Sequence, residues 1–112
     1  MLPEDQIDEL KELCSEVLTC EEGGITYALL RKIILPPGCS PAEVDALLCP
    51  SSKDGYTSRL YFAEQISCPK QLNWNGLNTR ILEQNWHAYS WKIPQENLRL
   101  SQMVANHLGA LR

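Results

Sequence analysis

The chain has little of what marks a membrane, secreted or disulfide-stabilised protein. None of its 112 residues lies in an apolar run approaching the roughly 20 residues that a membrane-spanning helix needs. No segment has the form of a secretory signal peptide. The cysteines number five, whereas a secreted disulfide framework would use an even set. We therefore expect one cytoplasmic domain over residues 1–112, with reduced cysteines and no membrane contact.

Signatures of metal and nucleotide binding are also missing from the sequence. There is no Cys-x-x-Cys pair, and His87 and His107 stand far apart without further ligands at metal-binding spacing. Neither Gly23-Gly24 nor Gly55 opens a dinucleotide-binding turn or a phosphate-binding loop. We expect no metal and no other cofactor.

Charge is unevenly distributed along the chain, whose net charge is −4. Residues 1–22 contain eight acids and one base, and the remaining residues contain six acids and nine bases. An acidic first segment repels phosphate, so nucleic acid is not an expected partner. The acidic segment is either an ordinary solvated helix face or a docking surface for a basic partner.

Apolar spacing predicts a helix over residues 3–20 at the start of the chain. Ile7, Leu10, Cys14 and Val17 recur at helical intervals. The two glycines that follow are typical of a helix end.

Two strands and one ambiguous segment follow this helix. Residues 25–35 are rich in β-branched and apolar side chains and predict a strand. Residues 40–48 fit either a short helix, because they begin with a capping-box sequence, or a strand, because their apolar residues then alternate. Residues 59–66 alternate well enough to predict a strand with Leu60 and Phe62 on one face, which Ile66 shares.

The last third of the chain is aromatic and then helical. Residues 79–91 have no clear periodicity, and a closing helix is expected to begin at Pro94. Its apolar stripe consists of Leu100, Met103, Val104, His107, Leu108 and Leu111. We expect His107 to be a core histidine. Helices at both ends of a run of sequential strands predict an α+β fold with an antiparallel sheet.

The densest group of functional-looking residues lies between Asn73 and Trp91, which includes all three tryptophans and one histidine. Such rings often simply complete a core, because aromatic side chains carry large apolar area. The polar residues interleaved with these rings also suit the wall of a pocket.

Three short motifs together resemble a bacterial family. Leu2-Pro3 precedes the first helix, Leu35-Pro36-Pro37-Gly38 follows a strand, and a Trp-x-x-aromatic-Ser sequence runs from Trp86 to Ser90. Their order and approximate spacing are similar to those of the prokaryotic ubiquitin-conjugating-enzyme-like proteins of family E. That family is encoded beside ubiquitin-like modifiers, activating enzymes and JAB-type peptidases, so the resemblance implies these three partners and a setting such as antiphage defence.

The resemblance implies a ubiquitin-conjugating-enzyme-like fold. This fold has an N-terminal helix, an antiparallel meander of about four strands, an active-site flap and a C-terminal helix. It also implies that residues 40–48 form a turn and then a strand. The implied activity is that of a transferase, which accepts a ubiquitin-like protein from the activating enzyme and passes it to a target.

The acyl-carrying residue departs from the pattern of the eukaryotic relatives. No cysteine follows Cys68, and residues 77–79 stand where the relatives' cysteine is expected. Either Cys68 has taken over this role, or Ser90 carries the acyl group with His87 as its base. The serine alternative needs a bend, because positions 87 and 90 of an extended segment face opposite sides.

Asn73-Trp74-Asn75-Gly76 resembles the asparagine-containing loop that precedes the cysteine of the eukaryotic relatives. The remaining site residues follow from this loop and the aromatic motif. The resemblance implies that Asn73 or Asn75 donates to the oxyanion, as acyl transfer requires. The expected partner-binding residues are Trp74, Trp86, Tyr89 and Trp91.

Two non-catalytic functions remain open. The first is a binding module of the same fold that holds the modifier or the activating enzyme without a covalent bond. The second is an interaction or immunity-type protein whose acidic first helix masks a basic partner, with salt-sensitive binding and no ATP-dependent adduct.

Overall fold

The architecture is given by a computed structural model that describes residues 3–50, 58–68, 74, 79–81, 83–89, 98–109 and 111. The helices are α1 (Glu4–Leu10) and α2 (Leu100–Gly109). The strands are β1 (Glu16–Glu22), β2 (Ile25–Ile34), β3 (Glu43–Cys49), β4 (Arg59–Phe62), β5 (Thr79–Ile81) and β6 (Gln84–Trp86). Within these ranges, neither helix is long and apolar enough to cross a membrane.

A four-stranded antiparallel sheet forms the centre of the molecule. Its strands lie in the order β1-β2-β3-β4, and each pairs with the strand next to it in sequence. Strands β5 and β6 form a separate antiparallel pair. The expected α+β class with an antiparallel sheet and a helix near each end is therefore confirmed.

The prediction of one helix over residues 3–20 is wrong beyond Leu10. The chain turns after α1 and continues as β1, which is antiparallel to β2. Gly23 and Gly24 join these strands with φ of 60° and 80°, and two positive φ angles are what a type I′ hairpin turn requires. The helical period was misleading because Val17 also packs against the core when its segment is a strand.

The other strand predictions are largely confirmed. Residues 25–34 form the predicted strand β2, and the ambiguous segment 40–48 contains strand β3 from Glu43 onwards. The predicted strand over residues 59–66 ends at Phe62, four residues early. Leu60, Phe62 and Ile66 nevertheless belong to one buried cluster, as expected.

Successive side chains of a strand point to opposite faces of the sheet, and here both faces carry buried side chains that other elements cover. One face packs against the helices through Leu10, Leu100 and Val104, together with Tyr89. The other face carries Tyr27, Leu47 and Tyr61. These side chains are covered by Ile81 and Trp86 of the β5–β6 pair and by Ala88, which follows it. The molecule thus has three layers, with the four-stranded sheet in the middle.

The two helices are joined by a polar clamp at the start of α2. The Arg99 guanidinium donates to both Glu9 carboxylate oxygens at 2.9–3.0 Å and to Asp5 at 2.7 Å. The Leu100 N–H donates to the Gln6 side-chain oxygen at 2.9 Å. These bonds hold α1 against α2, and the Arg99 interaction lowers the pKa of both carboxyl groups.

Candidate functional site around Cys68

Cys68 lies beyond β4, at a point where the chain pairs briefly with the segment before β3. Ser40 and Ser67 form an isolated antiparallel bridge and exchange both backbone hydrogen bonds, with N···O distances of 2.7 and 2.8 Å. Cys39 precedes Ser40 and Cys68 follows Ser67, so the two cysteines are opposite each other on neighbouring segments. The bridge therefore brings together two thiols that are distant in sequence.

The two thiols are neighbours across this bridge. Both side chains are half-buried against the helix-side core. Burial raises the pKa of the Cys39 thiol, and the neighbouring Cys68 raises it further. Cys39 therefore keeps its proton more readily than an ordinary cysteine.

An aromatic cluster forms the adjoining wall. The Tyr89 ring stacks on Phe62 with centroids 5.8 Å apart, and Trp74 meets it edge-on at 5.9 Å. The Tyr89 hydroxyl donates to the His107 carbonyl oxygen. Burial and then the neighbouring Cys68 and Cys39 raise the pKa of Tyr89, so this phenol stays neutral.

His87 lies on the same segment as Tyr89. Its backbone exchanges two hydrogen bonds with Phe62, at 2.7 and 2.9 Å. Trp86 and Ala88 pack on the opposite side of the sheet, so alternation along the segment puts His87 on the same face as Tyr89. Cys68 packs against the core cluster that contains Tyr89. The structure thus brings His87, Tyr89 and Cys68 to the same side of the molecule.

The serine alternative falls partly outside what the structure shows. Ser90 lies outside the described residues, as do Asn73, Asn75 and Trp91. Between His87 and Tyr89 the chain forms two strand-like bridges, and none of these residues forms the bend that a Ser90–His87 pair would need.

The predicted partner-binding rings differ in exposure. Trp74 is half-buried, whereas Trp86 is 1% exposed and Tyr89 is 4% exposed. The indole N–H of Trp86 donates inwards to the Ile81 carbonyl at 3.1 Å. Trp86 and Tyr89 therefore offer almost no surface to a partner in this conformation, because both complete the core.

A second polar pair, Ser58 and His107, lies behind the aromatic wall and was not expected from the sequence. The Ser58 hydroxyl is 3.1 Å from His107 Nε2, and each residue is only 3% exposed. Burial, assisted by the positive charge of Arg59, lowers the pKa of His107 to about 4. His107 is therefore neutral at pH 7. Its core position confirms the expectation from the apolar stripe of α2, but no spacing signal links it to Ser58.

No metal-binding group emerges from the part of the chain that the structure covers, where no three His, Cys, Asp or Glu side chains come together as ligands. Comparisons with protein-family models, with curated proteins and with solved structures found no match.

Proposed function

We propose that this protein belongs to a bacterial ubiquitin-like conjugation pathway and carries the modifier on Cys68 as a thioester. The observation that carries the proposal is the position of Cys68, just after a four-stranded antiparallel meander that lies between two helices. This order of elements agrees with what the resemblance implies, a conjugating-enzyme-like fold whose nucleophile follows the meander. The proposed setting is the cytoplasm, with the modifier, the activating enzyme and a JAB-type peptidase as partners.

The proposed chemistry is a transfer of one acyl group between sulfur atoms and then to an amine. The Cys68 thiolate attacks the thioester carbonyl of the modifier on the activating enzyme, and the activating enzyme's cysteine leaves as a thiolate. A target amine then attacks the new thioester, loses a proton and displaces Cys68. Thiolates suit both steps because they are strong nucleophiles and good leaving groups.

Neighbouring residues would assist these steps. Cys39 lies opposite Cys68 beside the Ser40–Ser67 bridge and would supply a proton to the Cys68 sulfur when it leaves. His87 is the proposed proton acceptor for the amine, because it bridges to Phe62 of the same core cluster against which Cys68 packs. Asn73 or Asn75 is the proposed oxyanion donor, a role that rests on the resemblance alone.

The test mixes the protein with ATP, the activating enzyme and the modifier encoded beside it, and separates the products on a non-reducing denaturing gel. We expect an adduct that disappears with thiol reductant and is lost in Cys68→Ala but kept in Cys20→Ala. An adduct that survives thiol, is cleaved by alkali and is lost in Ser90→Ala would instead establish the serine as carrier.

A non-catalytic binding module is the second candidate. Its support is the partial burial of Cys68 and the interior positions of Trp86 and Tyr89, which leave less exposed chemistry than an open active site would. This function predicts that the modifier or activating enzyme co-elutes with the protein while no covalent adduct forms.

The acidic-helix function receives less support. The acidic stretch is divided between α1 and β1, and Asp5 and Glu9 are already engaged by Arg99 within the same chain. A basic partner at this face would have to compete with that internal clamp.

A further inference from the structure

We propose that Cys39 and Cys68 form a dithiol site that reacts with low-molecular-weight disulfides and closes into an intramolecular disulfide. The inference does not depend on the proposed function, because it concerns the chemistry of these two thiols whether or not Cys68 carries an acyl group.

The backbone register places the two cysteines in a suitable position. Ser40 and Ser67 exchange both N–H···O bonds, which makes them a hydrogen-bonded antiparallel pair. The next pair outward, Cys39 and Cys68, is then a non-hydrogen-bonded pair, for which the Cα atoms are typically about 4.5 Å apart. Disulfides span Cα separations of about 4.4–6.8 Å, so the bridge already holds the backbone within the required range.

The register also places the two side chains on the same face. In such a pair both side chains lie on one side of the ribbon and approach each other closely. The packing of both thiols against the helix-side core agrees with this geometry. Closure therefore needs rotation of side chains and no rearrangement of β2, β3 or β4.

The other cysteines do not share this arrangement. Cys49 is fully buried on the opposite face of the sheet, and Cys14 and Cys20 lie before and within β1, in a different part of the fold. Reaction with a small disulfide should therefore be selective for the pair.

The proposed reaction has two exchange steps. Cys68 loses its proton to solvent and its sulfur attacks one sulfur of the small disulfide, which forms a mixed disulfide and releases one thiolate that takes up a proton. Cys39 then loses its proton and attacks the Cys68 sulfur, which forms the Cys39–Cys68 bond and releases the second small thiol. The protein dithiol is oxidised by two electrons and the small disulfide is reduced to two thiols.

The first attack is assigned to Cys68 because Cys39 is less readily ionised than an ordinary cysteine. Burial and the neighbouring Cys68 raise the pKa of Cys39, which lowers its thiolate fraction at neutral pH. The second step is intramolecular, and even flexible linkage gives effective concentrations of roughly millimolar. The mixed disulfide on Cys68 should therefore be short-lived.

The experiment treats the full-length protein with oxidised glutathione, blocks remaining thiols and maps the products by mass spectrometry. Digestion with trypsin and a glutamyl endopeptidase separates Cys39 from Cys49 by cleavage after Glu43. We expect a Cys39–Cys68 cross-linked peptide and almost no retained glutathione at either residue.

Matched variants sharpen the result. Cys39→Ser should retain glutathione on Cys68 at a level higher than the wild type by roughly tenfold or more, because the second step is lost. Cys20→Ser should behave as the wild type. The proposal is overturned if the wild-type protein keeps glutathione on Cys68 without cross-linking, if neither cysteine reacts, or if the cross-link joins another pair. The wild-type map decides this even where a variant folds poorly.

Discussion

Acidification from pH 7 to pH 5 should destabilise this protein through one residue, His107. Its imidazole is 3% exposed, lies 3.1 Å from the Ser58 hydroxyl and has a pKa lowered from 6.5 to about 4 by burial and then by Arg59. The unfolded chain binds a proton at His107 near pH 6.5, whereas the folded chain does not until near pH 4. Stability from this group is therefore fully present above pH 6.5 and is lost as the pH falls towards 4.

The magnitude follows from the separation of the two pKa values. A shift of one unit corresponds to about 1.4 kcal/mol, so a fall of two to three units gives a total loss of roughly 3 kcal/mol. Between pH 7 and pH 5 the linkage relation predicts a loss of about 2 kcal/mol. The lowered pKa values of Asp5 and Glu9 act mainly below pH 5, so these two carboxyl groups contribute little in this window.

The assay is urea unfolding at a series of pH values. His107→Gln, which can still hydrogen-bond to Ser58 but cannot gain the charge, should remove most of the pH slope between 5 and 7. His87→Gln is the matched control and should keep the slope, because His107 is intact. An equal slope in the wild type and His107→Gln would refute the assignment of acid sensitivity to His107.

Three further perturbations test the fold and the thiol pair. Gly24→Ala should destabilise the protein by roughly 1–2 kcal/mol, because a side chain at the hairpin turn is strained at a φ of 80°. Gly109→Ala, in α2 with open space around it, should stabilise the protein by roughly 0.5–1 kcal/mol. Thermal unfolding of both variants checks the contrast. Arg99→Gln should weaken the docking of α1 on α2, seen as faster amide exchange in α1 at low salt; unchanged exchange would contradict the clamp. Oxidation of Cys39 and Cys68 to a disulfide should stabilise the protein by about 3.5 kcal/mol, which is the chain-entropy value for a loop of about 30 residues. A lower urea midpoint after oxidation would contradict this, because it would show that the bond strains the fold.

The parts of the fold that the sequence predicts well are those with strong local patterns. β2 is a long β-branched and apolar segment, and α2 carries a stripe whose members Leu100, Val104 and His107 are buried as expected. Both elements bury a face that is already visible in the spacing of their own residues.

The hairpin was missed because its signal is ambiguous. A pair of glycines ends a helix as readily as it forms a type I′ turn, and the positions of Cys14 and Val17 satisfy both a helical stripe and a strand that packs on the core. Only the pairing of β1 with β2 distinguishes them, and that pairing is a tertiary property.

The sequence singles out Cys68 and His87 for the candidate site, and their catalytic roles stay predictions. The sequence does not single out Cys39, because its position opposite Cys68 depends on the bridge between Ser40 and Ser67, for which local spacing gives no signal. The interior positions of Trp86 and Tyr89 likewise result from how the aromatic segment packs across the sheet.

The most direct test of the central claim is the amount of reductant-sensitive modifier adduct that forms on Cys68 with ATP and the activating enzyme. Wild-type and Cys20→Ala protein should form the adduct to the same extent, and Cys68→Ala should form none while keeping its folded spectrum. A Cys68→Ala protein that forms the adduct as well as the wild type, or a wild type that forms none with a demonstrably charged activating enzyme, would contradict the claim.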